Sequence, residues 1–341
     1  MTLRGIAIPA VTLRGMAILA MKERGHLCPP QAFCDGRCGH CPFTGKMPVP
    51  RGLWRSETAA RIACAGIPAA RYNTPMSKKH KEAVQKQFTK TAEAFSNFAV
   101  RDTPEVLKEK VEFSKPQPDD AVLDIACGPG AFALAVAPRV RVVSGVDLTP
   151  EMLKRACAYQ AEKQITNAAF IRSDAEQLPF PDSTFDLVSC QCTFHHLPKP
   201  LVVLREMIRV AKPDGRLLII DPLAPESDSK YDIYNRIEQL RDPSHALTLR
   251  LTEYLRLFDE EKLEILRQAL RRRQRSFNNW MLRAGHAPGT KRYIQTRKHF
   301  EDSMAGDKAG FSAQAQGDDF QLVHNEGMFL LARKTETEIR T

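Results

Sequence analysis

Val122-Leu123-Asp124-Ile125-Ala126-Cys127-Gly128-Pro129-Gly130-Ala131-Phe132-Ala133 is the stretch on which the reading of this chain turns. An apolar run closes on an aspartate, passes two glycines and enters an alanine-rich segment, which is the order of a strand, a tight turn and a helix. Glycine lets a backbone pass close to a ligand, and a helix start offers unpaired N–H groups. The spacing Gly128-x-Gly130-x-x-Ala133 also fits a dinucleotide fingerprint, so by itself it leaves hydride and methyl chemistry both open.

Outward from this turn, short apolar runs alternate with helical patterns. Strands are expected at 121–126, 140–146, 168–171, 185–190 and 216–220, with helices at 131–137, 151–160 and 201–210. Strands apolar on both faces and separated by helices imply a parallel, doubly covered sheet, hence an α/β fold. Thr149-Pro150-Glu151 reads as an N-cap with a first-turn proline, and Pro213-Asp214-Gly215 as a turn before the fifth strand. Upstream, Val84, Phe88, Ala92, Phe95 and Ala99 recur at helical spacing, which predicts an amphipathic helix over 79–98 whose stripe packs on the core, with a ligand lid as the alternative. Beyond Asp221 the pattern predicts helix over 228–260, strand or helix over 263–270, and a closing hairpin strand over 328–332.

Three carboxylates select among the chemistries. Asp124 stands four residues before Gly128, where its charge would repel a pyrophosphate and attract a cationic sulfonium or ammonium. Asp147 ends the second strand, where an acidic side chain accepts from ribose hydroxyls. Asp174 follows the third strand and can accept from an adenine amine. A lone aspartate at a strand end is commonly a cap or a solvated turn. Three at successive strand ends, beside a glycine turn, point to an adenosyl ligand.

The segments VLDIACGPG, GVDLTPEML, SDAEQLPFPDSTFDLV, TFHHL and REMIRVAKPDGRLLIID, within residues 84–221, resemble the class I S-adenosylmethionine-dependent methyltransferases. The likeness is to the branch similar to the ubiquinone and menaquinone biosynthesis enzymes. It implies a Rossmann-like, seven-stranded, mostly parallel sheet with helices on both faces and an antiparallel last strand, and S-adenosyl-L-methionine as cofactor. It also implies Asp124 and the loop of Ala126, Cys127, Gly128 and Gly130 around the methionine end, and Asp147 with Leu148 at the ribose. Met152, Asp174 and Ala175 would lie at the adenine, and Cys190 and Gln191 would offer backbone groups to the methionine portion. His195 and His196 follow the fourth strand; such pairs commonly orient a turn, and they are candidates for proton transfer. One departure concerns the acceptor: Lys212-Pro213-Asp214-Gly215-Arg216 runs to Ile220-Asp221-Pro222-Leu223, where the quinone enzymes continue into a Glu-x-Ser.

The whole chain has 341 residues, 43% hydrophobic and 26% charged, and a formal charge of +10. Much of that charge lies in residues 1–75, which hold 10 basic and 3 acidic side chains. This Pro-, Gly- and Arg-rich segment is expected to be disordered, an extension before Met76, with a transit peptide as the alternative. It carries Cys34-x3-Cys38-x2-Cys41, a spacing that suits an iron–sulfur cluster or, with Cys28, His26 and His40, zinc; chance spacing is the plainer account. Residues 76–341 form the expected methyltransferase domain, with a cofactor core near 115–221 and an acceptor cover near 222–325. No run of the ~20 apolar residues needed for a membrane span is present.

The expected activity is methyl transfer to a small-molecule acceptor, at carbon or oxygen and with a quinone-like acceptor among the candidates, in the cytoplasm, where Cys127, Cys157, Cys190 and Cys192 stay reduced. A nucleic-acid substrate is the weaker alternative, because Ser189-Cys190-Gln191-Cys192-Thr193 lacks the Asn/Asp-Pro-Pro-aromatic segment of base methylation, and the run Arg271–Arg275 is read as a solvated face. A methyltransferase fold retained only as a binding module is the remaining one. Oligomeric state does not follow from the sequence.

Overall fold

The alternating apolar runs become one sheet in a computed structural model that describes residues 76–96 and 103–333. In chain order the elements are α1 (Lys78–Ser96), α2 (Pro104–Phe113), β1 (Ala121–Ile125), α3 (Ala131–Val136), β2 (Val142–Asp147), α4 (Pro150–Glu162), β3 (Ala168–Arg172) and β4 (Phe185–Gln191). There follow α5 (Pro200–Val210), β5 (Ala211–Leu223), α6 (Asp228–Arg241), α7 (Leu251–Glu260), β6 (Leu263–Ser276), α8 (Phe277–Arg283), α9 (Lys291–Met304), β7 (Gln314–Gln316) and β8 (Asp319–Arg333). The expected features of residues 1–75, the Cys34, Cys38 and Cys41 cluster included, lie outside the described residues.

The sheet order is β3-β2-β1-β4-β5-β8-β6, with β7 paired to β8. Strands β1 to β5 pair in parallel, and β8 inserts antiparallel between β5 and β6. This is the mostly parallel sheet with an antiparallel final strand that the sequence implied, with one added strand: three-residue β7 folds back on β8 as a hairpin arm.

Alternation along the strands feeds two cores. Leu123, Val188, Leu217 and Ile219 point to one face, where Leu201, Leu204 and Met207 of α5 and Tyr254, Leu257 and Phe258 of α7 cover them. Val122, Val143, Leu187 and Leu218 point to the other, under Phe132, Ala133 and Val136 of α3 and Val111 and Phe113 of α2. A third cluster, with Tyr234, Phe277, Trp280, Phe300 and Phe311, holds the segment after β5 together. Fully burying one such side chain stabilises by ~1.5–3 kcal/mol.

Local chemistry explains several differences from the sequence reading. Pro213-Asp214-Gly215 does not precede β5; it lies in a bulge within it, where the register steps from Phe185↔Ala211 to Leu187↔Arg216. The Thr149 side chain makes no cap bond to α4. The 228–260 region is two helices with a break that contains Pro243. The 263–270 ambiguity resolves to strand, because β8 supplies a partner along the whole of β6. Among the described residues no helix is long and apolar enough to cross a membrane.

Gly130 adopts φ 81°, and a Cβ there would stand 2.9 Å from the Phe170 ring and 3.2 Å from Ala156 Cβ. Gly130→Ala is therefore expected to destabilise the fold by about 1–3 kcal/mol, read as a lowered denaturation midpoint with unchanged slope.

Candidate active site

A cleft with about 1630 Å³ of empty space, partly open to solvent, lies at the carboxyl ends of β1, β2 and β4. Its first half is built from the glycine turn. Ala126 and Gly128 have left-handed backbones, with φ of 51° and 54°, and nothing lies within 4 Å of where a Gly128 Cβ would be. The Asp147 carboxylate accepts from the N–H of Gly128 at 2.9 Å and of Thr149 at 2.8 Å, which ties the end of β2 to the turn after β1. Burial raises Asp147 above the ordinary carboxylate range against those two donors. Each carboxylate oxygen retains acceptor capacity for a further hydroxyl. Leu148, Met152, Asp174, Ala175 and Gln191 complete this wall.

Four of the expected cofactor residues are not on that wall. Asp124 is 3% exposed and its Oδ1 accepts from Ser189 Oγ at 2.7 Å, so its charge is spent between two strands. Cys127 turns under the sheet beside Gly145, Cys190 is fully buried in the core, and burial pushes both thiols up. Gly130 sits on the Phe170 ring and shapes the turn from below.

Helix α1 roofs the cleft. Val84 and Phe88 line it, as in the lid alternative, while Ala92 is buried; the side chains of Phe95 and Ala99 lie outside the described residues. The roof is tied down by Lys81, 2.5 Å from Asp174 Oδ2 and 2.6 Å from Glu176 Oε2, and by Gln85, whose amide donates to the Leu148 carbonyl at 3.0 Å.

The second half of the cleft begins at the two histidines, and they differ. His195 Nδ1 lies 3.0 Å from Asp221 Oδ1, and its backbone N–H donates to Asp221 Oδ2 at 3.0 Å. Tyr254 donates its hydroxyl to the same oxygen at 3.0 Å. A carboxylate at Nδ1 fixes the proton there, so Nε2 carries a lone pair. His196 Nδ1 instead lies 3.1 Å from the Ser244 carbonyl, and its ring meets the edge of Phe88 at 5.0 Å. Burial, with His195 alongside, holds His196 well below the usual imidazole range.

The far wall is charged. Glu238 pairs with Arg241 at 3.0 Å and with His324 Nε2 at 3.2 Å; against the cost of its burial, these hold it well below the carboxylate range. The Arg241 guanidinium lies over Trp280, 4.8 Å from the ring centroid. The run read as a solvated basic face instead alternates: Arg273 and Arg275 line the cleft, while Arg272 and Gln274 are exposed. Among the described residues no group of three or more His, Cys, Asp or Glu is arranged to hold a metal ion.

A family model described as a methyltransferase domain matches residues 123–219. The uncharacterized methyltransferase YcgJ of Bacillus subtilis is 33% identical over 220 residues, 64% of this chain and 87% of that protein. The chain belongs to the S-adenosylmethionine-dependent methyltransferases. A demethylmenaquinone methyltransferase of Listeria monocytogenes is 33% identical over 131 residues, 38% of this chain and 55% of its own length. The crystal structure of YcgJ superposes with a TM-score of 0.61 at 29% identity, covering 67% of this chain and 98% of that one. A protein of Bacillus halodurans C-125 gives 0.62 at 26% identity, covering 68% and 100%.

For this methyltransferase the open Gly128 turn, the Asp147 carboxylate and the apolar Leu148, Met152 and Ala175 fit an adenosyl donor. The sequence reading assigned Asp221 no role beyond a departure in the motif and assigned Tyr254 none; the signal it held was an aspartate placed directly after the apolar run 217–220.

Burial also holds His324 down to about 4, below its ordinary 6.5. The unfolded chain binds a proton in that window that the folded one does not. Stability is thus fully present above pH 6.5 and falls as pH drops towards 4, by about 3 kcal/mol for this group. The denaturation midpoint is expected to decline across the window, and His324→Gln to flatten that decline.

Proposed function

We propose that the methyltransferase methylates a small-molecule acceptor at an oxygen or an acidic carbon, with His195 as the general base. The observation that carries this is the buried Asp221–His195 pair opening on the cleft where the adenosyl wall ends. S-adenosylmethionine, when bound, supplies a methyl carbon already activated by its sulfonium. The chain's own task is to align the acceptor, exclude water and accept a proton.

His195 Nε2 is suited to accept that proton from a hydroxyl or an acidic C–H. Asp221 holds the required tautomer and stabilises the imidazolium that results, and Tyr254 keeps Asp221 in place. His196 positions the turn. Phe88 and Val84 on the roof, and the cover formed by residues near 222–325, close the reaction off from water. The inward alternation of the β6 arginines leaves no continuous basic surface there for a nucleic-acid backbone, which favours a small acceptor. We place the enzyme in the cytoplasm, consistent with its four free thiols among the described residues.

Incubation of the protein with methyl-labelled cofactor and a metabolite extract is expected to give a labelled small molecule. His195→Ala and Asp221→Asn should lower its formation by about 10²–10⁴-fold while leaving S-adenosylhomocysteine affinity, measured by titration calorimetry, unchanged. Full turnover in His195→Ala would assign the proton transfer to another group.

A further inference from the structure

The three inward arginines of the 271–275 run have different fates. Arg271 reaches Glu109 at 3.0 Å and Glu326 at 3.5 Å. Arg273 reaches Glu326 at 3.1 Å. Arg275 makes no hydrogen bond or ion pair among the described residues, yet it lines the same cleft as His195. Its guanidinium is drawn down from its ordinary range by burial and by Arg273 beside it, with Glu326 only partly opposing them.

A half-buried guanidinium with no carboxylate hydrogen-bonded to it is a costly arrangement for a fold to keep. Nearby charges do not relieve it. Glu238 is taken by Arg241 and His324, and Asp242 Oδ1 accepts from both the N–H and the hydroxyl of Ser244. Burial keeps His245 and His324 neutral at physiological pH. Among the described residues of this half of the cleft, Arg275 thus presents a fork of donors with no carboxylate hydrogen-bonded to it. A guanidinium presents paired N–H groups that match a carboxylate or phosphate edge in bidentate fashion.

We propose that the methyl acceptor is an anion, bearing a carboxylate or a phosphate, and that Arg275 receives that group and determines acceptor specificity. This rests on the transferase function proposed above. A neutral quinol offers no such group, so Arg275 also separates this acceptor from that of an enzyme acting on a quinone.

The test divides a metabolite extract on an anion exchanger at pH 8 and incubates each fraction with the protein and methyl-labelled cofactor. Labelled product is expected from the retained fraction. Arg275→Gln should raise the apparent KM, measured by dilution of that fraction, about 10–100-fold. Arg275→Lys, which keeps the charge and loses the fork, should give a smaller rise. The exposed Arg272→Gln should leave it unchanged, and all variants should bind S-adenosylhomocysteine as the parent does. Phosphatase treatment that abolishes the label assigns a phosphate; its survival assigns a carboxylate.

Label arising only from the unretained fraction, or an unchanged KM in Arg275→Gln, overturns the proposal. If Arg275→Gln does not bind S-adenosylhomocysteine, Arg275→Lys decides by the same criterion. Absence of label from both fractions, with S-adenosylhomocysteine bound by the parent protein, overturns the small-molecule transferase reading and this inference with it.

Discussion

Strands β1 and β4 hydrogen-bond side by side although β2 and β3 separate them in sequence. The helices that follow them depart to opposite faces, α3 into one core and α5 into the other. A crevice opens where the chain changes direction, and ligands of such sheets settle there. All the chemistry of the molecule is arranged around that opening. The Gly128 turn leaves β1 on one side, Gln191 and the histidine turn leave β4 on the other, and Asp147 braces the first side through the Gly128 N–H. The cores above and below fix the strand ends, so these polar groups are held by apolar packing that none of them contributes to.

Much of the cleft's first half was legible because it depends on local order. Short continuous apolar runs mark where strands stop, and Ala126, Gly128, Asp147, Leu148, Met152, Asp174, Ala175 and Gln191 lie at or just after those stops. Asp124 lay in the same pattern and went elsewhere, because its fate depends on Ser189, a neighbour supplied by a strand far away in sequence. Helix α1 was legible as a helix, but its destination was not: an apolar stripe fits a cleft roof as well as a core. The arginine run shows the same limit. Its alternation is written in Arg271-Arg272-Arg273-Gln274-Arg275, but which members face inward is set by β8, where Arg271 lies opposite Glu326 and Arg273 opposite His324. Helices α8 and α9 carry little periodicity of their own, and aromatic contacts among Phe277, Trp280 and Phe300 hold them.

The two halves of the cleft follow different physical logics. The first half is made of backbone turns and a few carboxylates at strand ends, which a sequence motif can specify. The second half is made of side chains from β5, α6, β6, α8 and β8, converging from segments distant in the chain. Its polar groups are buried in pairs and triads, as in Asp221 with His195 and Tyr254, or Glu238 with Arg241 and His324. Such networks are expensive to assemble and rigid once satisfied, which gives this wall a fixed shape.

Strand β6 is the last in the sheet order, so among the described residues one of its edges has no strand beside it. An unpaired edge of this length is a template on which a second copy could polymerise, and Leu266 and Leu270 are exposed along it. Arg272 is the exposed arginine of the 271–275 run, and its charge would stand against its counterpart in a copy that aligned there in register. One outward charge on this row therefore guards the rim against fibre growth, while Arg273 and Arg275 turn the other way and furnish the wall of the cleft.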